Sequence, residues 1–128
     1  RMLDVLEKET LEEVIKYNDD LVPALMNIVN ELREGRKEDT GELLNSIIVG
    51  VNWEIEIFNC LEDTINGRAN WVDKKLVIEA VGNLGKALQA KDDELIATCL
   101  EDDFIPFVKS MEKAAVLRLE QNKETNDN

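Results

Sequence analysis

Residues 41–60 read GELLNSIIVGVNWEIEIFNC, and the spacing of the apolar side chains in this stretch decides the fold class. The apolar positions recur at intervals of three and four residues, at Leu44, Ile47, Ile48, Val51, Ile55 and Phe58. Side chains at these intervals share one face of an α-helix, so the stretch predicts an amphipathic helix. A second apolar line runs beside the first, at Val49, Trp53, Ile57 and Cys60. We therefore expect this helix to be covered on more than one side.

The same spacing precedes this stretch and predicts a partner helix. Its apolar positions are Leu11, Val14, Ile15, Leu21, Leu25, Ile28 and Leu32. The capping-box pattern that begins at Thr10 predicts the start of this helix, and Pro23 predicts a split within it. Gly35 then stops the helix, and Thr40 is the expected N-cap of the next one. Together the two helices predict a hairpin over residues 10–65.

The dipeptide Asn66-Gly67 marks the clearest break in the chain, because Asn-Gly is a strong turn signal. Apolar periodicity then predicts a third helix from about Val72 to Ala90 and a fourth that follows Asp93, which form a second hairpin over residues 72–119. Residues 121–128 contain no apolar side chain and are expected to be a frayed polar tail. The prediction is an all-α protein, in which residues 1–120 form one antiparallel bundle of four principal helices.

A shift of 56 residues aligns the two predicted hairpins without a gap. The shift pairs Ala24 with Ala80, Asn27 with Asn83, Ile28 with Leu84, Leu32 with Leu88, Leu44 with Leu100, Ile48 with Phe104 and Leu61 with Leu117. Duplication of one helical hairpin would produce this match, and shared helix periodicity is the alternative explanation. The shift also places Gly50 opposite Pro106. Both residues weaken a helix, so a bend is expected at the same depth of each half.

Composition and charge exclude several classes of function. The chain has 28 acidic and 15 basic residues, a net charge of −13, and no histidine. The absence of histidine excludes Ser-His-Asp and Cys-His catalysis and zinc sites that need imidazole. The negative charge disfavours nucleic acids and anionic membrane surfaces. The apolar runs are too short to cross a bilayer and the first residues do not resemble a signal peptide, so a cytoplasmic location is expected.

Carboxylate clusters are the feature that could support catalysis or metal binding. They lie at residues 19–20, 92–94 and 101–103. Asp92 and Asp93 are expected to cap the fourth helix, and residues 101–103 to cap a helix restarted at Pro106. No cofactor and no metal site is predicted from these clusters. The two cysteines, Cys60 and Cys99, have apolar neighbours and are expected to be reduced core thiols.

The run from Asn30 to Leu44, NELREGRKEDTGELL, is followed by IVGVNW at residues 48–53. This pattern resembles small bacterial helical proteins of unknown function. It is also similar to flagellar export chaperones, whose helical bundles contain a comparable hairpin. The resemblance to chaperones implies that an unfolded or helical client segment binds along grooves of the bundle. It transfers no functional residue to this chain.

These observations favour a non-enzymatic protein-interaction module, with a chaperone-like or regulatory role. One alternative is a carboxylate-metal enzyme that acts on a nucleotide or phosphate substrate. Another is a self-associating structural protein, such as a homodimer that covers an apolar helix face.

The predicted partner site combines an aromatic residue, two glycines and an acidic surface. Trp71 begins a helix after a turn, where coverage is incomplete, and Gly82 with Gly85 indicates either close helix packing or a groove for a partner helix. The first hairpin carries most of the negative charge. A basic amphipathic helix is the expected partner. The predicted contact residues are Trp71, Gly82, Gly85, Glu31, Glu34 and Glu38.

Overall fold

The computed structural model describes residues 1–67 and 69–127, with side chains through Thr125. This part of the chain is helical and contains no strand, so the predicted all-α bundle is confirmed. Arg68, in the predicted break, and Asn128, in the predicted tail, lie outside the described residues. The elements are α1 (Val5–Glu34), α2 (Thr40–Cys60), α3 (Glu62–Asn66), α4 (Lys74–Ala90), α5 (Asp93–Cys99), a π-helical turn (Leu100–Phe104) and α6 (Ile105–Asp127).

Helix α1 lies at the centre of the bundle and contacts α2, α5, the π-helical turn and α6. Its apolar stripe supplies most of its buried positions, including Leu11, Val14, Leu25 and Ile28, none of which is exposed. Because these side chains recur every three or four residues, one face of the helix meets all of its neighbours. The four principal helices are α1, α2, α4 and the continuous segment from α5 to α6.

The predicted start of α1 and its split at Pro23 are both wrong. The helix begins after Asp4, whose carboxylate accepts a 2.7 Å hydrogen bond from the Glu7 amide, while the Glu7 carboxylate accepts one from the Asp4 amide at 3.1 Å. This capping box lies more than one turn before Thr10. Pro23 sits inside the continuous helix, where it removes one backbone hydrogen bond. Buried residues on both sides of Pro23 hold the two parts of α1 in line.

Gly50 does not bend α2, which continues through it. A Cβ atom at Gly50 would lie 2.8 Å from Cε2 of Tyr17, so the glycine leaves room for that ring. The Tyr17 ring then packs edge-on against Trp53, with 5.3 Å between the ring centroids. Val49 and Cys60 are exposed, so the prediction that α2 is covered along its second apolar line is wrong at those two positions.

Pro106 coincides with a local change in helix geometry, but the helix is not restarted there. The Ile105 amide donates to the Leu100 carbonyl, five residues earlier, which is the hydrogen-bond pattern of a π-helix. Pro106 has no amide proton to continue the ordinary pattern, and the wider turn accommodates it. The chain therefore passes from α5 to α6 without a break.

The end of the chain differs from the expected frayed tail. Helix α6 continues to Asp127. Asn122 is buried, and its Oδ1 accepts a 2.8 Å hydrogen bond from the Leu3 amide. This hydrogen bond joins α6 to the segment before α1, so the polar end of α6 is held against Leu3.

Helix α4 has clear ends but little buried surface. Asp73 caps its start by accepting a 2.9 Å hydrogen bond from the Lys75 amide, and Lys91 ends it in a left-handed conformation. Its buried residues are Ala80, Leu84 and Ala87, two of which are small. The described helices include none that is long and apolar enough to cross a membrane.

Candidate functional site

Helix α4 carries three exposed apolar side chains, and another three lie at Met2, Val5 and Leu6. Leu76 is 61% exposed, Ile78 is 63% exposed and Val81 is 45% exposed. Helix α4 packs mainly against α5 and the π-helical turn, so much of its circumference is left uncovered. Leu76 lines one flank of α4, and Ile78 and Val81 line another. Exposed apolar surface is a feature of many binding sites.

A groove runs along α4 on the side that faces the π-helical turn and α6, and we call it the α4–π groove. It consists of two adjoining cavities of about 240 and 310 Å³, which share Asn83, Asp102 and Asp103. Apolar lining comes from Trp71, Leu76, Ala80, Leu95, Phe104, Pro106 and Phe107. Leu76, Ala80 and Asn83 recur at intervals of four and three residues, so a single face of α4 forms one wall.

The α4–π groove carries a negative charge. Asp73, Glu79, Asp102 and Asp103 line it, against one basic lining residue, Lys86. Burial, and then the neighbouring charge of Asp102, raises the pKa of Asp103. Within the described part of the chain, neither Asp102 nor Asp103 forms a salt bridge. These two carboxylates are therefore available to a cationic partner.

Trp71 closes one end of the groove and is half-buried. The preceding loop is held by Asn66, whose Nδ2 donates to the Val72 carbonyl at 2.9 Å and whose Oδ1 accepts from the Val72 amide at 3.0 Å. The ammonium group of Lys113 lies 5.0 Å from the centroid of the Trp71 ring, within range of a cation–π interaction. The sequence predicted a turn at Asn66, but only the tertiary structure shows the two hydrogen bonds between Asn66 and Val72.

Gly82 and Gly85 lie on a different flank of α4. A Cβ atom at either position would meet nothing within 4 Å, so the prediction of close helix packing there is wrong. Ile78 and Val81 share this flank, and with Ile55 of α2 they line a separate cavity of about 240 Å³. The glycines therefore do not lie beside the cavity that Trp71 lines.

The three predicted glutamates lie at the far end of α4 from Trp71. Glu31 is buried, and its carboxylate accepts hydrogen bonds from Thr40 Oγ1 at 3.2 Å and Asn27 Nδ2 at 3.4 Å. Thr40 thus contacts Glu31 instead of acting as the N-cap of α2. Glu34 and Glu38 are exposed near the start of α5. Since α4 has 17 residues, about 25 Å separates this end from Trp71.

The carboxylates of residues 92–94 have structural partners. Asp92 caps α5 by accepting a 3.1 Å hydrogen bond from the Leu95 amide, which confirms the prediction for Asp92, whereas Asp93 lies in the first turn of α5 and does not cap it. Asp93 binds the guanidinium group of Arg36 through two hydrogen bonds of 2.8 and 2.9 Å. Arg36 lowers the pKa of Asp93, chiefly by hydrogen bonding. Among the residues with described positions, no group of three or more candidate ligands is arranged to hold a metal ion.

The two cysteines differ in environment. Cys99 is buried, as predicted, and burial raises the pKa of its thiol. Cys60 is exposed, so the prediction that it is a core thiol is wrong.

A wider cavity of about 580 Å³ lies between the start of α1 and the end of α2. Its charged lining residues are Arg1, Asp4, Glu7 and Glu56. The Glu7 carboxylate already accepts hydrogen bonds from Arg1 at 2.8 and 2.9 Å and from Thr64 Oγ1 at 2.9 Å. These hydrogen bonds, led by those from Arg1, lower the pKa of Glu7 to about 2. Because this carboxylate is satisfied internally, the α4–π groove is the better candidate for recognition of a charged ligand.

The sequence pattern does not single out Leu76, Leu95, Asp102 and Asp103 as site residues. Leu76 and Leu95 follow the apolar pattern of the core, and the exposure of each depends on how the helices are placed. The sequence did contain a signal for Asp102 and Asp103. The acidic residues 101–103 lie just before Pro106, where the π-helical turn forms.

Comparisons with known proteins identify a family without assigning an activity. No curated protein and no solved structure matches the chain. The model of a family described as a domain of unknown function, DUF8042, matches residues 9–114, from α1 into α6. Since this match covers most of the sequence, the chain belongs to the DUF8042 family.

Proposed function

We propose that the protein is a non-enzymatic protein-interaction module that binds a basic amphipathic helix in the α4–π groove. The observation that carries the proposal is the exposed side chain of Leu76, which lies in the same groove as the unpaired carboxylates of Asp102 and Asp103. An apolar wall beside uncompensated negative charge matches a helix with one apolar and one basic face.

The dimensions of the groove suit a short helix. Trp71 lies at one end and Leu95 lines the other cavity, beyond most of the length of α4. A partner helix of about four turns would span this distance and present apolar anchors at successive turns. Its lysine or arginine side chains would face the exposed Asp102 and the partly buried Asp103, where partial burial strengthens electrostatic attraction.

Chaperone-like binding of a client is the more specific form of this proposal. It follows from the resemblance to flagellar export chaperones, and a regulatory role would use the same groove. A cytoplasmic location is part of the same proposal. The alternative of a carboxylate-metal enzyme is less well supported, because Asp92 and Asp93 are engaged in a helix cap and an ion pair.

Self-association is the second candidate, and it would use the other flank of α4. Ile78 and Val81 are exposed there beside Gly82 and Gly85, which allow a second backbone to approach. Sedimentation of the wild-type protein and of an Ile78→Asp variant tests this candidate. A dimer that the variant dissociates would favour the structural role, whereas a monomeric wild-type protein would exclude it.

The groove is tested by amide NMR titration with two synthetic amphipathic peptides of about 18 residues, built from leucine and lysine or from leucine and glutamate. We expect the lysine peptide to bind and to shift resonances of α4 and the π-helical turn. Leu76→Ser should weaken binding by more than about fivefold, which corresponds to about 1 kcal/mol. Val49→Ser is the matched control, because Val49 is an exposed apolar residue of α2 outside the groove.

Charge recognition is tested separately with Asp102→Asn/Asp103→Asn. This double variant should slow association of the lysine peptide and reduce its dependence on salt. Asp19→Asn/Asp20→Asn removes the same charge from an exposed part of α1 and should have a much smaller effect. Equal effects of the two double variants, or equal binding of the glutamate peptide, would contradict the proposal.

A further inference from the structure

Glu54 of α2 is fully buried where α2 faces α1 and α6, although it is ionisable. Neither of its carboxyl oxygens has a hydrogen-bond partner within the described residues. Asn18 of α1 lies beside it and is also buried. The Asn18 Nδ2 donates to the Val108 carbonyl at 2.8 Å, which leaves Asn18 Oδ1 without a donor.

An ionised Glu54 would place a negative charge among unsatisfied acceptors. Burial of such a charge without a donor or a cation is strongly unfavourable. The charged group that acts on Glu54 from α6 is Glu112, which is also acidic, and the neighbouring polar group from α1 is the uncharged Asn18. The surroundings therefore favour the neutral carboxylic acid.

We propose that Glu54 is a proton-binding site of the folded protein, in which the neutral carboxyl group donates its hydrogen to Asn18 Oδ1. A single proton then removes the buried charge and supplies a donor for an acceptor that otherwise has none. The packing of α2 against α1 and α6 is then more stable when Glu54 is protonated than when it is ionised. The inference does not depend on the α4–π groove.

The titration of Glu54 agrees with this geometry. Burial first, and then the charge of Glu112, raises its pKa from 4.5 to about 8, while Asn18 acts in the opposite direction. In the unfolded chain the group ionises near 4.5, so between about pH 4.5 and pH 8 the folded state binds one more proton. Folding stability is consequently lost as the pH rises through this interval and levels off above it.

Glu7 shows that burial alone does not produce this behaviour. Glu7 is also buried, but it accepts hydrogen bonds from Arg1, Thr64 and the Asp4 amide, which lower its pKa to about 2. Its contribution is lost as the pH falls from about 4.5 towards 2. The pKa values of the two glutamates thus shift in opposite directions, because Glu54 is desolvated beside the acidic Glu112, whereas Glu7 lies closer to the surface and accepts hydrogen bonds from Arg1, the Asp4 amide and Thr64.

The proposal is tested by urea unfolding from about pH 5 to about pH 9 with the wild-type chain, Glu54→Gln and the control Glu56→Gln. The amide that replaces the Glu54 carboxyl group imitates the neutral acid and does not titrate. The unfolding equilibrium constant of the wild type should rise by up to about tenfold per pH unit relative to Glu54→Gln. Glu56 is exposed on the same helix, so Glu56→Gln should follow the wild type.

Carbon NMR of the wild-type carboxyl groups provides a measurement that does not depend on the folding of any variant. We expect the Glu54 carbon to titrate near pH 8 in the folded protein. A titration near its ordinary value of 4.5, or parallel pH dependences for the wild type and Glu54→Gln, would overturn the proposal.

Discussion

Helices α1 and α4 have similar apolar periodicity but occupy very different environments. The shift of 56 residues pairs them, and the paired residues Ile28 and Leu84 are both buried. Around this pair the environments of the two helices differ, because α1 buries ten of its 30 residues and α4 buries three of its 17. The comparison teaches that an amphipathic pattern specifies a helix with an apolar face, whereas the number of neighbouring helices decides whether that face becomes core or binding surface.

The largest predicted contrast is between truncation of a buried apolar residue in α1 and truncation of an exposed apolar residue in α4. Leu25→Ala in α1 should lower the free energy of unfolding by about 2 to 5 kcal/mol, because it leaves a cavity in packed core. Ile78→Ala in α4 should change it by less than about 0.5 kcal/mol, because the side chain is mostly exposed. Urea unfolding followed by circular dichroism measures both. Similar losses would show that α4 is packed as tightly as α1.

Glycine substitutions also compare the open surface of α4 with a packed part of the bundle, and the expected changes in stability are smaller. Gly82→Ala and Gly85→Ala should each stabilise the protein by about 0.5 to 1 kcal/mol, since alanine favours the helix and the surrounding space is open. Gly50→Ala should destabilise it by about 1 kcal/mol, because the added methyl group displaces Tyr17 from its contact with Trp53. Melting temperatures of the three variants provide the test. A destabilising effect at Gly82 or Gly85 would indicate that α4 is covered on that flank.

The smallest expected effect concerns the ion pair that joins the α1–α2 loop to α5. Arg36→Ala removes the contact with Asp93 and should lower the free energy of unfolding by about 0.5 kcal/mol or less, since both side chains are about a third or more exposed. The difference should vanish in about 1 M salt, where screening is strong. A loss well above 1 kcal/mol that persists in high salt would show that Arg36 stabilises the folded protein through contacts other than its ion pair with Asp93.

Several features of the fold were accessible from local sequence. The apolar spacing before Gly35 and after Thr40 predicted the first hairpin, and Asn66-Gly67 predicted the division between the halves. Pro23 was misread because its local cost to the helix is offset by packing along α1. The end of α6 was misread because Asn122 has a partner nearly the whole chain away, at Leu3, which local composition does not reveal.

The structure separates the residues that the sequence predicted to form one site. Trp71 was correctly placed beside a turn and is half-buried, but Glu31 is engaged with Thr40 and Gly82 faces away from the groove. Helical periodicity relates residues within one helix, and it contains no information about which flank a neighbouring helix will cover. The acidic residues Asp102 and Asp103 join the site because the π-helical turn is packed against α4.

The sequence by itself determined that this protein is acidic and helical, because charge is a property of composition and helix formation depends on contacts within a few residues. Only the tertiary structure decided that one face of α1 is buried against its neighbours, that one flank of α4 remains open and that the Glu54 carboxyl oxygens have no hydrogen-bond partner among the described residues. These properties depend on side chains far apart in the chain, whose positions follow from the packing of whole helices.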